Sequence, residues 1–267
     1  MTDALVKIEG AGNDFLLGTG AWARRLADDA EFVRALCDRR RGLGADGVLG
    51  LERLDARRVR LDYRNADGGV AAFCANGTRC AARAAVELLA CDHEVVVATG
   101  WVDVPALVDG SRVTLHLPSV APPGELDVRL GESTRRAFQV VVGVPHLLIP
   151  VDEPDDWPFE ALAPALRRDP RLGPDGANVH LVASGADQVR LRSFERGVEA
   201  ETLCCGSGVV AAGLLCLDAT GDTRVSVRPR SGDELIVSVR GPAFGGDVHL
   251  TGPTRMVARV EPLADAL

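Results

Sequence analysis

The fold is decided by two stretches about half the chain apart. They are Asn65-Ala66-Asp67-Gly68-Gly69-Val70-Ala71-Ala72-Phe73-Cys74-Ala75-Asn76-Gly77-Thr78 and Glu195-Arg196-Gly197-Val198-Glu199-Ala200-Glu201-Thr202-Leu203-Cys204-Cys205-Gly206-Ser207-Gly208. Each follows an apolar-alternating run, Val59–Tyr63 or Val189–Phe194, that predicts a strand. Each leads into an Ala- or Val-rich run, Ala81–Leu89 or Val209–Leu217, that predicts a helix. Cys74 and Cys205 thus fall at or just before helix N-termini. There unpaired N–H groups and the helix dipole favour an anion, and a lowered thiol pKa is expected.

Working outward, an offset of 130 aligns Asn65 with Glu195 and Leu61 with Leu191. An offset of 131 aligns Cys74 with Cys205, Gly77 with Gly208 and Ala81 with Ala212. The slip places one extra residue between Glu195 and Cys205, and the recurring order of parts predicts an internal duplication. Further strands are expected at Leu5–Glu9, Glu94–Thr99, Val113–Leu117, Gln139–Val144, Asn178–Ala183, Arg224–Arg228, Glu234–Arg240 and Asp247–Thr251. Helices are expected at Ala30–Arg40, Arg79–Ala90, Phe159–Arg168 and Ser207–Asp218. The proline-rich Leu117–Gly124 reads as a domain boundary, and Asp152–Pro158 as a solvated acidic connection.

At 267 residues and 46% hydrophobic, the chain can fill one large or two modest cores. A formal charge of −8 without a basic tract argues against a nucleic-acid partner. No apolar stretch approaches transmembrane length and no signal peptide precedes the first strand, so neither a membrane nor export is expected. Seven cysteines, an odd number, suit a reducing cytoplasm. Lys7 is the single lysine, in a strand-like run without a phosphate cradle. A pyridoxal-phosphate Schiff base is therefore not expected. Cys-x-x-Cys and close His pairs are absent, so no metal is expected either. Cys37, Cys91 and Cys216 read as small buried residues, and His180 as a solitary, satisfied strand residue. Gly42–Gly47 reads as a turn, because no Lys-Ser/Thr follows it.

Two matched thiols suggest acid/base work on one carbon. Removing an α-proton without an electron sink needs a protonated ammonium, a carboxylate wrapped in N–H donors and a dry site. Inversion then needs a base on one face and a conjugate acid on the other.

With these residues in view, the chain resembles the diaminopimelate epimerase family and its cofactor-independent relatives. The matching motifs are Gly10-Ala11-Gly12-Asn13-Asp14-Phe15, Arg41–Gly47, Asn65–Gly68, Cys74–Cys80, Pro145-His146, Asn178-Val179, Glu195-Arg196-Gly197 and Glu201–Gly208. The resemblance implies an α+β fold of two pseudo-symmetric domains, each a β-barrel-like sheet around a central helix, with the site in the cleft. The domains would be 1–118, completed by a returning strand within about 254–267, and 119–253.

It further implies an epimerase or racemase with Cys74 and Cys205 as catalytic thiols and no cofactor. Backbone donors at Ala75, Asn76, Gly206 and Ser207 would grip the reacting carboxylate. Glu195 would lie near the ammonium, Arg196 at a distal carboxylate, and Asn13, Asn65 and Asn178 as polar substrate contacts. His146 would support the first thiol. The expected partner is a small amino-acid substrate, with a homodimer as the assembly.

Three departures stand out. Val144 occupies the place of an asparagine in the family's Gly-Asn-Pro-His segment, the 195–205 loop is one residue longer, and Val70–Phe73 with Ala75 replaces a more polar, glycine-containing stretch. A more apolar distal pocket is expected, leaving the substrate as diaminopimelate or another free amino acid. The alternatives are a double-bond isomerase of the same fold and a catalytically silent ligand-binding relative.

Overall fold

The computed structural model describes residues 5–185 and 188–262. They form two units, one running to Leu115 and resuming at Gly252, the other spanning His116–Thr251. Up to the first boundary the chain forms β1 (Leu5–Gly10), β2 (Asn13–Thr19), α1 (Ala21–Asp28), α2 (Ala30–Cys37), β3 (Gly47–Arg53), β4 (Arg58–Asn65), α3 (Ala75–Leu89), β5 (Glu94–Ala98), β6 (Asp103–Asp109) and β7 (Arg112–Leu117). The second unit follows with β8 (Gly124–Leu130), β9 (Ser133–Val142), β10 (Val144–Pro150), α4 (Phe159–Arg167), β11 (Asn178–Ser184), β12 (Val189–Glu195), β13 (Ala200–Thr202), α5 (Gly206–Thr220), β14 (Arg224–Pro229), β15 (Leu235–Arg240) and β16 (Asp247–Pro253). A last strand, β17 (Arg255–Val260), pairs antiparallel with β1, from Leu5 opposite Val260 to Glu9 opposite Arg255. Residues 263–267 of the expected returning segment lie outside the described residues.

The duplication extends to hydrogen-bond register. In the first unit β2 runs parallel to β3 with Phe15 opposite Gly47, and β4 parallel to β5 with Val59 opposite Val97. In the second, β10 runs parallel to β11 with His146 opposite Asn178, and β12 parallel to β14 with Val189 opposite Val227. The first pair moves by 131 (15 to 146, 47 to 178) and the second by 130 (59 to 189, 97 to 227), and all four valines of the second are fully buried. A one-residue register error would turn every side chain to the wrong face, so identical registers mean identical inward sets.

Each unit wraps a mixed sheet around one long helix. Strands β1 to β6 pack on α3, and β9 to β12, β14 and β15 pack on α5. The composition of α5, Gly-Ser-Gly-Val-Val-Ala-Ala-Gly-Leu-Leu-Cys-Leu, has no polar face, as a helix surrounded on all sides requires. Val209, Val210, Leu214 and Leu217 are all buried, each worth about 1.5–3 kcal/mol against exposure.

Several expected elements need correction. The run 139–144 is not one strand, because Gly143 at φ 70° turns the chain between β9 and β10. Strands β2, β3, β6, β8 and β13 and helix α1 were not expected. Glycines hid β2 and β3: a Cβ on Gly18 would meet Leu26 and Trp22 at 2.8 Å, and one on Gly50 the Ala23 carbonyl at 2.8 Å. They sit in the sheet so that α1 can lie against it. Helix α2 stops at Cys37, short of the expected Arg40, where Asp38 accepts from the N–H groups of Arg40 and Arg41. The Asp152–Pro158 segment is not merely solvated. Pro154 is buried, Arg192 donates to its carbonyl, Glu153 pairs with Arg190 and Asp155 with Arg230.

Candidate active site

Cys74 and Cys205 are the N-cap residues of α3 and α5, both in extended backbone conformation. The small residues after each thiol are the start of the helix itself: α3 begins one turn before the expected Arg79, and α5 one residue before the expected Ser207. Ala75 and Asn76 open α3, and Gly206 and Ser207 open α5, so their N–H groups belong to the first turn, which has no intrahelical acceptors.

In the first unit the Cys74 sulfur accepts the Gly77 N–H at 3.4 Å, and its thiol points to Asn13 Oδ1 at 3.6 Å. Asn13 is held from two sides. Its amide donates to Asp46 at 2.7 Å, and the Asn76 amide approaches its oxygen at 3.4 Å. Fully buried Arg79 donates to Asn76 Oδ1 at 2.8 Å. Arg39 bridges Asp14 and Asp46 at 2.6 and 2.7 Å. Burial raises the Asp14 pKa, but hydrogen bonds from Arg39 and Lys7 outweigh it and hold the carboxyl below its usual range. Lys7 itself pairs with Asp14 and the Gly44 carbonyl. Asn65, at the end of β4, accepts from the Tyr63 hydroxyl at 2.7 Å.

In the second unit Cys205 is buried, with Ser207 Oγ at 3.7 Å and the Asn178 amide at 3.9 Å from its sulfur. Asn178 Oδ1 accepts the Arg196 N–H at 2.8 Å, and Glu195 accepts from Thr202 at 2.5 Å. The extra residue lies in the hairpin that carries Glu195 and Arg196. Phe194 pairs with Glu201 across six residues, whereas Arg64 bridges Val70 across five. Glu199 takes up the difference in a left-handed conformation, φ 56°.

The helix N-terminus does not lower the Cys205 pKa. Burial pushes this thiol well up and Glu195 pushes it further, against smaller opposing effects of the Gly208 N–H and Ser207. A helix end contributes roughly 0.3–1 kcal/mol at an exposed site, too little to offset desolvation of a thiolate. Cys205 is a neutral thiol at rest.

His146 and His180 are fully buried, their Nδ1 and Nε2 2.9 Å apart, and His180 Nδ1 lies 2.9 Å from Ser193 Oγ. His180 is therefore not solitary. Their ligating atoms and the Cys205 sulfur all lie within 4.8 Å of one another. His146 thus lies close to the second thiol. Val144 opens β10 directly after the Gly143 turn and is half-buried. Beside Arg196 is a cavity of about 390 Å³, lined by Arg167, Pro174, Asp175 and Arg196. It is charged.

Cys37, Cys80, Cys91 and Cys204 are buried, but Cys216, expected to be so, is half-buried; all seven cysteines are free. Arg79, Asp46, Ser193, Arg167 and Asp175 were not singled out from the sequence, and His180 was read only as a solitary strand residue. Arg79 and Asp46 lie inside the Cys74–Cys80 and Arg41–Gly47 motifs, but the others join the site through tertiary contacts alone. No helix is long and apolar enough to cross a membrane among the described residues.

Known proteins resemble this chain over most of its length. The profile of the family described as Diaminopimelate epimerase matches residues 5–115 and 138–255. The diaminopimelate epimerase of Thermobifida fusca is 38% identical over 259 residues, covering 90% of each chain. That of Hydrogenobaculum sp. is 32% identical over 269 residues, covering 95% of this chain and 96% of its own. Among solved structures, a hydroxyproline epimerase from Agrobacterium vitis superposes with a TM-score of 0.70 at 18% identity, covering 97% of this chain and 90% of its own. A phenazine biosynthesis PhzF-family protein from Enterococcus faecalis does so at 0.73 and 14%, covering 98% and 100%. At such identities they show the shared α+β fold. The family match and the full-length relatives show more: the chain is an isomerase of the epimerase and racemase class and belongs to the diaminopimelate epimerase family.

Proposed function

We propose that the protein inverts the α-carbon of a free amino acid without a cofactor, using Cys74 and Cys205 as a two-base pair. The observation that carries this reading is that both thiols are N-caps of equivalent buried helices. One thiolate takes the α-proton, the other thiol delivers a proton to the opposite face, and the roles exchange in the reverse direction. First-turn N–H groups of Ala75 and Asn76, and of Gly206 and Ser207, stabilise the negative charge that develops on the carboxylate. Glu195 accepts from the ammonium, and Asn13, Asn65 and Asn178 orient the substrate. The neutral state of Cys205 suits the proton donor, which leaves Cys74 as the acceptor in that direction.

For the substrate we favour diaminopimelate, the compound in the relatives' names, and with it a place in lysine biosynthesis. Its distal end carries a carboxylate and an ammonium. The cavity beside Arg196 offers two guanidiniums and the Asp175 carboxylate, a set of matching charge. Val144 favours a second reading, an amino acid with a less demanding side chain, because valine offers the distal end no hydrogen bond.

Cys74→Ala and Cys205→Ala should each lower inversion by at least about a hundredfold, the scale of one positioned acid or base, with an unchanged far-ultraviolet spectrum. A folded single mutant that still racemises at the normal rate would refute the pair. Val144→Asn should raise kcat/KM for LL-diaminopimelate relative to other amino acids. A missing partner for a buried charge is worth about 1–3 kcal/mol, so the gain should be about fivefold or more. No gain, with efficient wild-type turnover, would show that valine is no handicap and leave the charged cavity in control of choice.

A further inference from the structure

Beneath the two thiols the duplicated units differ in one respect that the proposed reaction does not use. In the first unit the inward residues of β2 and β3 facing the start of α3 are Phe15 and Leu49, both fully buried, and a Cβ on Gly77 would meet them at 3.6 and 3.1 Å. Moved by 131, these positions are His146 and His180, and Gly77 becomes Gly208, whose Cβ would meet the His180 ring at 2.3 Å. An apolar floor has become two imidazoles, both 0% exposed, under the Cys205 thiol, itself 3% exposed. His146 Nε2 is buried with no hydrogen-bond partner. Burying such a nitrogen costs free energy that a Phe–Leu floor does not. The pair therefore calls for a ligand.

We propose that His146, His180 and Cys205 form a three-ligand site for Zn2+, which reversibly caps the second thiol. Two imidazoles and a thiolate are a donor set this borderline-soft ion prefers, and three protein ligands leave a fourth position for water. Tetrahedral Zn–N and Zn–S bonds place ligand atoms about 3.3–3.6 Å apart. The three donors already lie within 4.8 Å of one another, so small side-chain shifts reach that spacing. Ser193 holds His180 Nδ1 at 2.9 Å, the outer hydrogen bond that fixes ring orientation and leaves Nε2 as the ligating atom. Binding exchanges the imidazole–imidazole hydrogen bond for metal bonds. It forms a Zn–S bond at Cys205 and releases the thiol proton to solvent, with no change of oxidation state.

Metal binding stands on this geometry alone; only the loss of turnover rests on the proposed role of Cys205. The test adds Zn2+, or Co2+ as the spectroscopic probe, to the intact reduced protein. One equivalent of Zn2+ should protect Cys205, and not Cys74, from iodoacetamide, as read by peptide mass mapping, and EDTA should reverse the protection. Co2+ should give a thiolate charge-transfer band that Cys205→Ser removes. His146→Asn and His180→Asn should each weaken binding tenfold or more, while His249→Asn, at the separate His116–His249 contact, should not. Equal protection of both thiols, a Co2+ band that survives Cys205→Ser, or undiminished binding in both site-histidine variants would overturn the site. If Cys205 is protected yet turnover persists, the metal site stands and the catalytic reading of Cys205 falls. If turnover is lost with Cys205 unprotected, the metal proposal falls.

Discussion

Cys74 and Cys205 hold the same cap position but meet different surroundings, and the difference sets their reactivity. Cys74 is half-buried and accepts an N–H from Gly77; Cys205 is buried and its pKa is driven well up by desolvation. Because the thiolate is the nucleophile, iodoacetamide at neutral pH should modify Cys74 about tenfold or more faster than Cys205. Modification of Cys205 should accelerate as the pH is raised. Time-resolved peptide mapping checks this, and equal rates at neutral pH would contradict it. The cap positions were legible in the sequence, because a small-residue turn before an alanine-rich run is a local signal. The pKa direction was not, since it depends on how much water neighbouring strands exclude.

Helices α3 and α5 are both fifteen residues long yet end differently. The left-handed residue that closes α5 is Gly221, φ 76°, while α3 closes with Ala90 at φ 50°. An L-residue with a Cβ pays about 1–2 kcal/mol in that conformation, partly offset by the greater unfolded-state freedom of glycine. Ala90→Gly should therefore stabilise the first unit by about 0.5–1 kcal/mol, seen as a higher urea midpoint with an unchanged slope. No shift, or a lower midpoint, would mean the Ala90 methyl group contributes packing that outweighs the strain. At this scale alternation and caps gave away the strands bordering each helix. Strands β2 and β3 stayed hidden, because Gly18, Gly47 and Gly50 read locally as turns while their purpose, close approach of other backbone and side chains, is a contact.

The first unit is assembled from both ends of the chain, since β17 pairs with β1 and Val260 packs against the cluster of Leu5, Leu16, Leu26, Phe32 and Leu36. A chain ending at Thr251 loses that strand and leaves β1 with unpaired backbone groups along one side. Urea unfolding should then show the first unit melting earlier, with the second, His116–Thr251, little changed. Proteolysis sites mapped to 1–115 would report it. A single transition at the original midpoint would show that β17 adds nothing.

By itself the sequence determined the duplication, the pair of capped thiols, the α+β class and the family, because these reside in local order, spacing and motif. Tertiary structure alone decided that His146 and His180 lie together under Cys205, that Arg167 and Asp175 join Arg196 around one cavity, and that Cys205 stays protonated. His146 and His180 lie 59 and 25 positions from Cys205, and Arg167 and Asp175 lie 29 and 21 positions from Arg196. The two histidines meet under Cys205 because β10 lies parallel to β11 and both pack on α5, and burial there excludes water from the thiol.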